Sequence, residues 1–503
     1  MGNDTLSLEL TPDAMRTMGY RVVDALVDRY AEACQAPTWQ GGTRAELDAL
    51  IREPAPEQPG DFYGALDRLL NDILPRGARV DHPRFMAFVP GAPTWPAVLG
   101  DVVAAGSNIF QGTWLASSGV SALELLVVDW FRQWLGCDDG AGGLLLSGGS
   151  VANLTAIACA RTHRFGSHDD RAVIYCSSET HSSVLRGARI LGFADNRVRV
   201  LPVDADHRLA PSALAGAVHD DVAAGLTPFL VVANAGTTST GAVDPLPDLA
   251  AICRDRDIWL HVDAAYGGFA ALTDRGRTLL QGIGRGDSIT LDPHKWLYQP
   301  FEAGCLIVRD ERLLEDAFRV LPPYLQDAAI QRSGGTGADT ATIAHSPDAG
   351  TAGGGDLASA APAVPVNFAD RGIQLTRSAR VLKIWLAIQT HGLAAYRRAI
   401  DRCMDLACRA AEHVDASTGL ELLSPPRLGI VCFRREPPPG VDADEFNRRL
   451  LRRMMQSGTA MISSTIVDGR FALRLCVLNY RTTDDDVRQV LRWIENYDEC
   501  LYR

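Results

Sequence analysis

The most restrictive feature of this sequence is a stretch from Gly142 to Arg309 in which short apolar runs alternate with amphipathic segments. The apolar runs are nearly continuous, as in strands buried on both faces, and the segments between them have helical spacing. This alternation predicts an α/β fold with a mostly parallel central sheet covered by helices. The predicted strands are Gly143–Leu146, Ala172–Tyr175, Phe229–Ala233, Ile258–Val262, Ser288–Leu291 and Cys305–Val308. The predicted helices between them include Val151–Arg161, Ser182–Leu191 and Pro247–Arg254.

The segments on either side of this stretch have different patterns. Residues 11–34 carry apolar side chains at helical spacing and predict a helical arm that packs either on a second subunit, which we favour, or on its own domain. Near the end of the chain, predicted strands at 429–433 and 471–477 and a helix at 484–497 indicate a small α+β unit. We therefore expect three parts, which are listed here by residue number: an N-terminal helical arm exchanged between dimer subunits (1–85), a large domain (86–382) and a small C-terminal domain (383–503).

Residues 332–365 form a segment of Gly, Ala, Ser, Thr and Asp with almost no large apolar side chains. Such a segment cannot bury enough surface to offset the entropy lost on ordering. We expect a flexible insertion within the large domain, which serves either as a spacer or as part of a lid over a site.

Composition excludes several classes of function. The chain has 503 residues, a net charge of −12 and no basic stripe, which argues against nucleic acid as a partner. Its 11 cysteines are dispersed and include no Cys-x-x-Cys pair, so we expect reduced thiols and a cytoplasmic location. Asp101 interrupts the apolar stretch at 95–106, and we expect no membrane-spanning segment.

Lys295 follows the predicted strand Ser288–Leu291 in the string Thr290-Leu-Asp-Pro-His-Lys-Trp296. Lysine is rarely buried because its ammonium is costly to desolvate, and a lone lysine at such a place is most often a surface residue. The main chemical use of a lysine at the end of a core strand is a Schiff base, which consumes the charge.

Other polar residues also follow predicted strands. A Gly-rich turn at 146–153 opens a helix and suits a phosphate group, His181 could stack on a flat ring, and Asp263 could pair with a protonated ring nitrogen. Thr238 lies after a further strand. Each feature alone has a structural explanation, such as a helix cap or a core contact. Together with Lys295 they predict a site for pyridoxal 5′-phosphate at the carboxyl edge of the sheet.

Several sequence strings of this chain are similar to those of a known enzyme family. The chain resembles the group II amino-acid decarboxylases, which are fold-type I pyridoxal-phosphate enzymes, and the resemblance runs nearly end to end. The matching strings are His82 to Phe88, the Ser147 turn, Thr180 to Val184, Trp259 to Tyr266, His294 to Trp296 and Gly429 to Phe433.

The resemblance implies a role for each matching residue. Lys295 would form the Schiff base, Asp263 would pair with the ring nitrogen and His181 would stack on the ring. Tyr324, in a Pro-Pro-Tyr-Leu string after the lysine, would be the proton donor to the α-carbon. The cofactor-binding set would be Gly149, Ser150, His181, Thr238, Asp263, Ala265, Asp292, His294 and Lys295.

The sequence departs from the family pattern around the substrate pocket, which the resemblance assigns to Phe88, Gly91, Phe110 and Gly112. Gly112 replaces an aromatic residue found in animal aromatic enzymes, and Gly91 replaces a hydroxyl residue. Asp292 stands where several relatives have Asn.

The expected function is therefore decarboxylation of an L-amino acid to its amine by a cytoplasmic homodimer with active sites at the subunit interface. An aromatic substrate is favoured, because aromatic residues cluster in the pocket segments and no basic residue is evident there for an acidic side chain. The main alternative is decarboxylation coupled to oxidative deamination, which gives an aldehyde. An aminotransferase and a catalytically inactive binding protein are weaker alternatives.

Overall fold

The computed structural model describes residues 8–320, Pro323 and residues 364–498, and all structural statements below concern these residues. The strands are β1 (Phe85–Met86), β2 (Gly142–Leu146), β3 (Ala172–Ser177), β4 (Val198–Leu201), β5 (Thr227–Asn234), β6 (Trp259–Asp263), β7 (Ser288–Leu291), β8 (Gly304–Val308), β9 (Leu420–Arg427), β10 (Ile430–Arg435), β11 (Met461–Val467) and β12 (Arg470–Cys476). The helices are α1 (Pro12–Ala31), α2 (Arg44–Ile51), α3 (Phe62–Arg68), α4 (Trp95–Ser107), α5 (Trp114–Leu135), α6 (Gly149–Phe165), α7 (Ser182–Ile190), α8 (Pro211–Ala223), α9 (Leu246–Asp255), α10 (Asp274–Leu279), α11 (Arg312–Phe318), α12 (Val381–Ala416), α13 (Ala443–Ser457) and α14 (Asp484–Glu495).

The larger sheet has the strand order β2-β8-β7-β6-β5-β3-β4. Strands β3 to β7 pair in parallel with their neighbours, and β8 runs antiparallel to both β2 and β7. The predicted α/β fold with a mostly parallel sheet is therefore confirmed. Sequence reasoning missed β4, an edge strand that is only partly buried and carries Arg199.

The smaller sheet has the order β1-β11-β12-β10-β9 and belongs mainly to the C-terminal unit. Its first strand comes from residues far away in the chain, because Phe85 pairs in parallel with Met461. The turn between β9 and β10 contacts the segment that follows β6, where the backbone N–H of Gly429 donates to the hydroxyl of Tyr266 over 2.9 Å. The predicted boundary at 382/383 lies near the start of α12, and the three-part division stays a prediction.

Helix α1 begins after Thr11, whose hydroxyl accepts a hydrogen bond from the backbone N–H of Ala14. None of its residues is buried, although Met15, Tyr20 and Val27 are large apolar side chains. The predicted N-terminal helix is present, and part of its apolar surface is exposed.

Helix α5 is long and apolar enough to cross a membrane by length and composition, which the sequence prediction overlooked. In this fold it packs against β2 and α12, and its Glu124 is fully buried. Glu124 Oε1 accepts a hydrogen bond from Arg377 Nη2 over 2.6 Å, so one face of this helix belongs to the protein core.

Two predictions fall outside the described residues: the proton-donor role of Tyr324 and nearly all of the flexible insertion at 332–365.

Candidate active site

A cavity of about 400 Å³ lies at the carboxyl ends of the parallel strands β3, β5 and β6, beside the first turn of α6. This is the edge where ligands bind in open α/β sheets. All of the predicted cofactor-binding residues line it, namely Gly149, Ser150, His181, Thr238, Asp263, Ala265, Asp292, His294 and Lys295.

The Gly-rich turn before α6 leaves backbone exposed to the cavity. A Cβ atom on Gly149 would lie 3.0 Å from Asp292 Oδ2 and 3.1 Å from the Cβ of Ala265. A side chain at position 149 would therefore force its neighbours apart. Since the first N–H groups of a helix have no intrahelical partner, the start of α6 can bind an anion such as phosphate.

Asp263 ends β6, is 7% exposed and receives two hydrogen bonds. The side-chain amide of Asn153 donates to its Oδ2 over 2.8 Å, and the backbone N–H of Ala265 donates to its Oδ1 over 3.2 Å. Because a carboxylate can accept more bonds than these two, Asp263 retains capacity for a donor within the cavity.

Asn153 is the centre of a buried polar network that sequence reasoning missed. Its Oδ1 receives hydrogen bonds from the hydroxyl of Thr290 over 2.8 Å and from Nε2 of His261 over 3.0 Å. Burial lowers the pKa of His261 below its usual value, which keeps the imidazole neutral. Because Oδ1 of Asn153 can only accept a hydrogen bond, the proton of the neutral ring lies on Nε2. The other ring nitrogen is then free to accept from the hydroxyl of Ser288, 2.8 Å away.

The same network reaches His181 at the head of α7. The second amide hydrogen of Asn153 points to the hydroxyl of Ser183 over 2.9 Å, and that hydroxyl lies 2.8 Å from Nδ1 of His181. The backbone N–H of Ser183 also donates to Nδ1, over 3.3 Å. Since Nδ1 is an acceptor, the neutral ring carries its proton on Nε2.

Lys295 lies directly against Asp292, with 2.9 Å between Nζ and Oδ2. The side chains are 16% and 3% exposed, respectively. His294 lies next to them, and burial lowers the pKa of its imidazole. The sequence predicted that Asp292, His294 and Lys295 lie in one site, and all three line this cavity. The ion pair between Lys295 and Asp292 was not predicted.

Gly91 lies behind the lysine rather than in the cavity lining. Its backbone N–H donates to the carbonyl of His294 over 3.2 Å, and a Cβ here would come within 2.0 Å of the carbonyl oxygen of Lys295. Only glycine permits this approach, so Gly91 supports the backbone of the segment that carries Lys295.

The other predicted substrate-pocket residues, Phe88, Phe110 and Gly112, do not line this cavity either. Phe88 is 58% exposed and precedes Val89, which does line it. A Cβ on Gly112 would lie 2.5 Å from the ring of Phe110, so these two residues pack on each other. Their role in substrate binding stays a prediction.

Comparison with protein-family models gives a match to the pyridoxal-dependent decarboxylase conserved domain over residues 45–344 and 357–436. The chain belongs to this family. It is 36% identical over 492 residues to an aromatic-L-amino-acid decarboxylase from Bacillus atrophaeus, with 97% of this chain and 96% of the relative covered.

Solved structures agree with this assignment. A tryptophan decarboxylase (TDC) structure from Oryza sativa, solved with PLP and tryptamine, matches with a TM-score of 0.86 and 29% identity over 97% of this chain and 98% of that chain. A 4-hydroxyphenylacetaldehyde synthase from Rhodiola rosea matches with a TM-score of 0.84 and 26% identity over 97% and 98%.

The cavity of this decarboxylase fits pyridoxal 5′-phosphate. The turn at Gly149 offers backbone to a phosphate group, Asp263 retains acceptor capacity for a ring N–H, and Lys295 supplies an amine. Its volume lies within the range of small-molecule sites. Among the described residues, no cluster of His, Cys, Asp and Glu is arranged to hold a metal ion.

Proposed function

We propose that this decarboxylase converts an aromatic L-amino acid to the corresponding amine and CO₂. The observation that carries the proposal is the convergence of Lys295, Asp263 and His181 on one cavity in a chain 36% identical to an aromatic-L-amino-acid decarboxylase. The relatives include aromatic-L-amino-acid, tyrosine and tryptophan decarboxylases, which supports an aromatic substrate. The arrangement of Lys295, Asp263 and His181 around one cavity supports decarboxylation at the α-carbon.

When bound, the cofactor supplies an electron-accepting ring for the pair of electrons that decarboxylation leaves at the α-carbon. Lys295, in the segment after β7, would hold the cofactor through its amine. Asp263, held by the side-chain amide of Asn153 and the backbone N–H of Ala265, would pair with the ring nitrogen of the cofactor and favour its protonated form. Because these donors are already in place, little reorganisation is needed during the reaction.

His181 presents a defined hydrogen-bond donor to the cavity, since Ser183 occupies Nδ1. The donor Nε2–H can orient a substrate carboxylate, and the ring can pack against a flat cofactor. Tyr324, outside the described residues, is proposed as the acid that protonates the α-carbon.

The proposed substrate class is tested by supplying L-tyrosine, L-tryptophan and L-phenylalanine, with L-glutamate as the matched non-aromatic control. CO₂ and amine are expected in equal amounts from at least one aromatic amino acid and at a far lower rate from glutamate. Release from glutamate alone would overturn the aromatic assignment.

A second product is supported by the structural match to an aldehyde synthase. In that reaction O₂ is the oxidant, and the amino acid, O₂ and water give an aldehyde, CO₂, ammonia and hydrogen peroxide in equal amounts. Measuring amine, aldehyde and peroxide in the same assay separates the two reactions, and we propose the amine as the product of this chain.

We also propose a homodimer with the active sites at the subunit interface. Support comes from the uncovered apolar side chains of α1, from exposed Val102 and Val103 on α4, and from exposed Phe88 beside the cavity. Sedimentation should give a dimer mass, and Val27→Glu should weaken the dimer. The matched control is Val222→Glu at an exposed position of α8, and it should leave the dimer intact. A wild-type monomer with full activity would contradict the proposal.

A cytoplasmic location is proposed from the cysteines. All ten cysteines of the described residues are free thiols, and seven of them are buried in the two sheets and their helices. Free thiols are typical of a reducing compartment. Cell fractionation with an antibody to the chain would test this location, and recovery in a secreted fraction would contradict it.

A further inference from the structure

Arg474 on β12 carries a buried cation that the reaction proposed above does not use. The residue is 2% exposed, and its three hydrogen bonds among the described residues go to uncharged oxygen atoms. Its Nη2 is buried without a hydrogen-bond partner within the same part of the chain. Burial of a cation on neutral acceptors costs free energy, which a role at the neighbouring cavity would explain.

Two of the acceptors of Arg474 are backbone carbonyls in segments that border the cavity. Nη1 donates to the carbonyl of Phe88 over 2.9 Å, and Nε donates to the carbonyl of Ser239 over 3.0 Å. The residues next to these two, Val89 and Thr238, line the cavity. One side chain of the smaller sheet is therefore bonded to two segments at the edge of the cavity.

Phe88 has a left-handed backbone, with a φ of 53°, which a bulky residue avoids unless its surroundings impose it. Its backbone N–H donates to the hydroxyl of Ser463 over 3.3 Å, and that hydroxyl also accepts from Nη1 of Arg474 over 3.1 Å. Ser463 on β11 lies directly opposite Arg474 on β12. Both backbone polar groups of Phe88 are thus bonded to one cross-strand pair of the smaller sheet.

The turn at Ser239 has further hydrogen bonds that do not involve the arginine. The backbone N–H of Ala242 donates to the hydroxyl of Thr237 over 3.1 Å, and the thiol of Cys432 donates to the carbonyl of Ser239 over 3.4 Å. Loss of the arginine would therefore release the strained backbone of Phe88 more than it would release this turn.

We propose that Arg474 is a positioning residue that fixes the backbone of Phe88 at the edge of the cavity and thereby sets the affinity for the substrate. The side chain of Phe88 is 58% exposed, so it offers an apolar surface beside the cavity to an aromatic side chain. This inference rests on the proposed aromatic substrate. A binding group has to be held in place by its neighbours to contribute fully to affinity.

Arg474→Met, which removes all the donors but keeps the apolar stem, tests the proposal in the cofactor-loaded enzyme. KM for the aromatic amino acid should rise at least about tenfold, while kcat should change less than about threefold, because ground-state and transition-state binding are weakened alike. Cofactor affinity, measured by absorbance titration, should stay near the wild-type value. The matched control is Arg435→Met on β10, since Arg435 also donates to a backbone carbonyl, that of Tyr497. The control should leave KM unchanged.

Ser463→Ala is a smaller change that removes only the acceptor of the Phe88 N–H, and it should raise KM in the same direction. Ser464→Ala, at the exposed neighbouring position, should not. An unchanged KM in Arg474→Met, or an equal rise in Arg435→Met, would overturn the proposal.

Crystal structures of the wild type and Arg474→Met provide a measurement that does not depend on turnover. Phe88 should leave the left-handed region in the variant, and a Phe88 that keeps its positive φ would overturn the proposal. If the wild type decarboxylates no aromatic amino acid, the proposed function fails, and the two structures still decide whether Arg474 holds Phe88.

Discussion

The side-chain amide of Asn153 donates to Oδ2 of Asp263 over 2.8 Å, from a position that is 1% exposed. The same amide group accepts from His261 and Thr290 through its oxygen. Asn153 on α6 therefore fixes the carboxylate at the end of β6. It also provides the hydrogen-bond acceptor for buried donors on β6 and β7. This network connects the hydrogen bonding of the core to the electrostatics of the cavity.

Asn153→Ala should weaken cofactor binding and destabilise the protein. The substitution leaves the donors of His261 and Thr290 buried without an acceptor, which costs about 1–3 kcal/mol per group, and it frees Asp263 to move. Cofactor affinity measured by absorbance titration should fall at least about tenfold, since loss of one charge-assisted hydrogen bond is worth about 1.5–3 kcal/mol.

The matched control is Asn479→Ala, which removes a buried amide that donates to the carbonyl of His82, away from the cavity. This variant should also lower the free energy of unfolding but leave cofactor affinity unchanged. Equal losses of affinity in the two variants would show that Asn153 acts through general stability alone.

Gly149→Val should reduce affinity for the cofactor more than it reduces stability. A Cβ at this position lies 3.0 Å from Asp292 Oδ2 and 3.1 Å from Ala265, so the turn must open where phosphate is expected to bind. Gly216→Ala in α8 is the control, because nothing lies within 4 Å of its Cβ position. Unchanged affinity in Gly149→Val would place the phosphate elsewhere.

The protein should lose stability as the pH falls from about 6.5 to about 4, in part because of His82. Burial, followed by the charge of Arg84, lowers the pKa of His82 from 6.5 to about 4. In this window the unfolded chain binds a proton that the folded chain excludes, so the free energy of unfolding falls with decreasing pH by up to about 1.4 kcal/mol per unit.

His82→Asn should reduce the dependence of the free energy of unfolding on pH in this window, measured by urea unfolding at each pH. The control His219→Asn, at an exposed position, should leave this dependence unchanged. An identical slope in His82→Asn and wild type would contradict the assignment to His82.

Tyr324→Phe should leave cofactor binding intact and slow amine formation, because the proposed acid for the α-carbon is removed. Amine, aldehyde and CO₂ are measured together, so that a diverted product is distinguished from a slower reaction. Amine formation at the wild-type rate would remove Tyr324 from the mechanism.

The positions of the site residues could be predicted because each residue follows a continuous apolar run that forms a strand. Parallel strands of one sheet have their carboxyl ends at the same edge. For this reason Asp263, His181 and Lys295 were predicted to lie at one edge of the sheet, and in the structure they line one cavity. Asn153 was missed although a signal was present: it lies one helical turn after Gly149 on the buried side of α6, where an amide requires partners.

Long-range relationships could not be predicted in this way. The pairing of Phe85 with Met461 and the contact of Gly91 with the backbone of Lys295 depend on how distant segments pack, and no local pattern encodes them. The edge strand β4 was missed because partial burial weakens its apolar pattern.

The proposed chemistry depends on the amine of Lys295 as the covalent anchor of the cofactor. Borohydride reduction of the loaded protein, followed by proteolysis and mass spectrometry, tests it most directly. A pyridoxyl group is expected on the peptide that contains Lys295, and no such group is expected in Lys295→Ala. A label on a different lysine, or none in loaded wild-type protein, would contradict it.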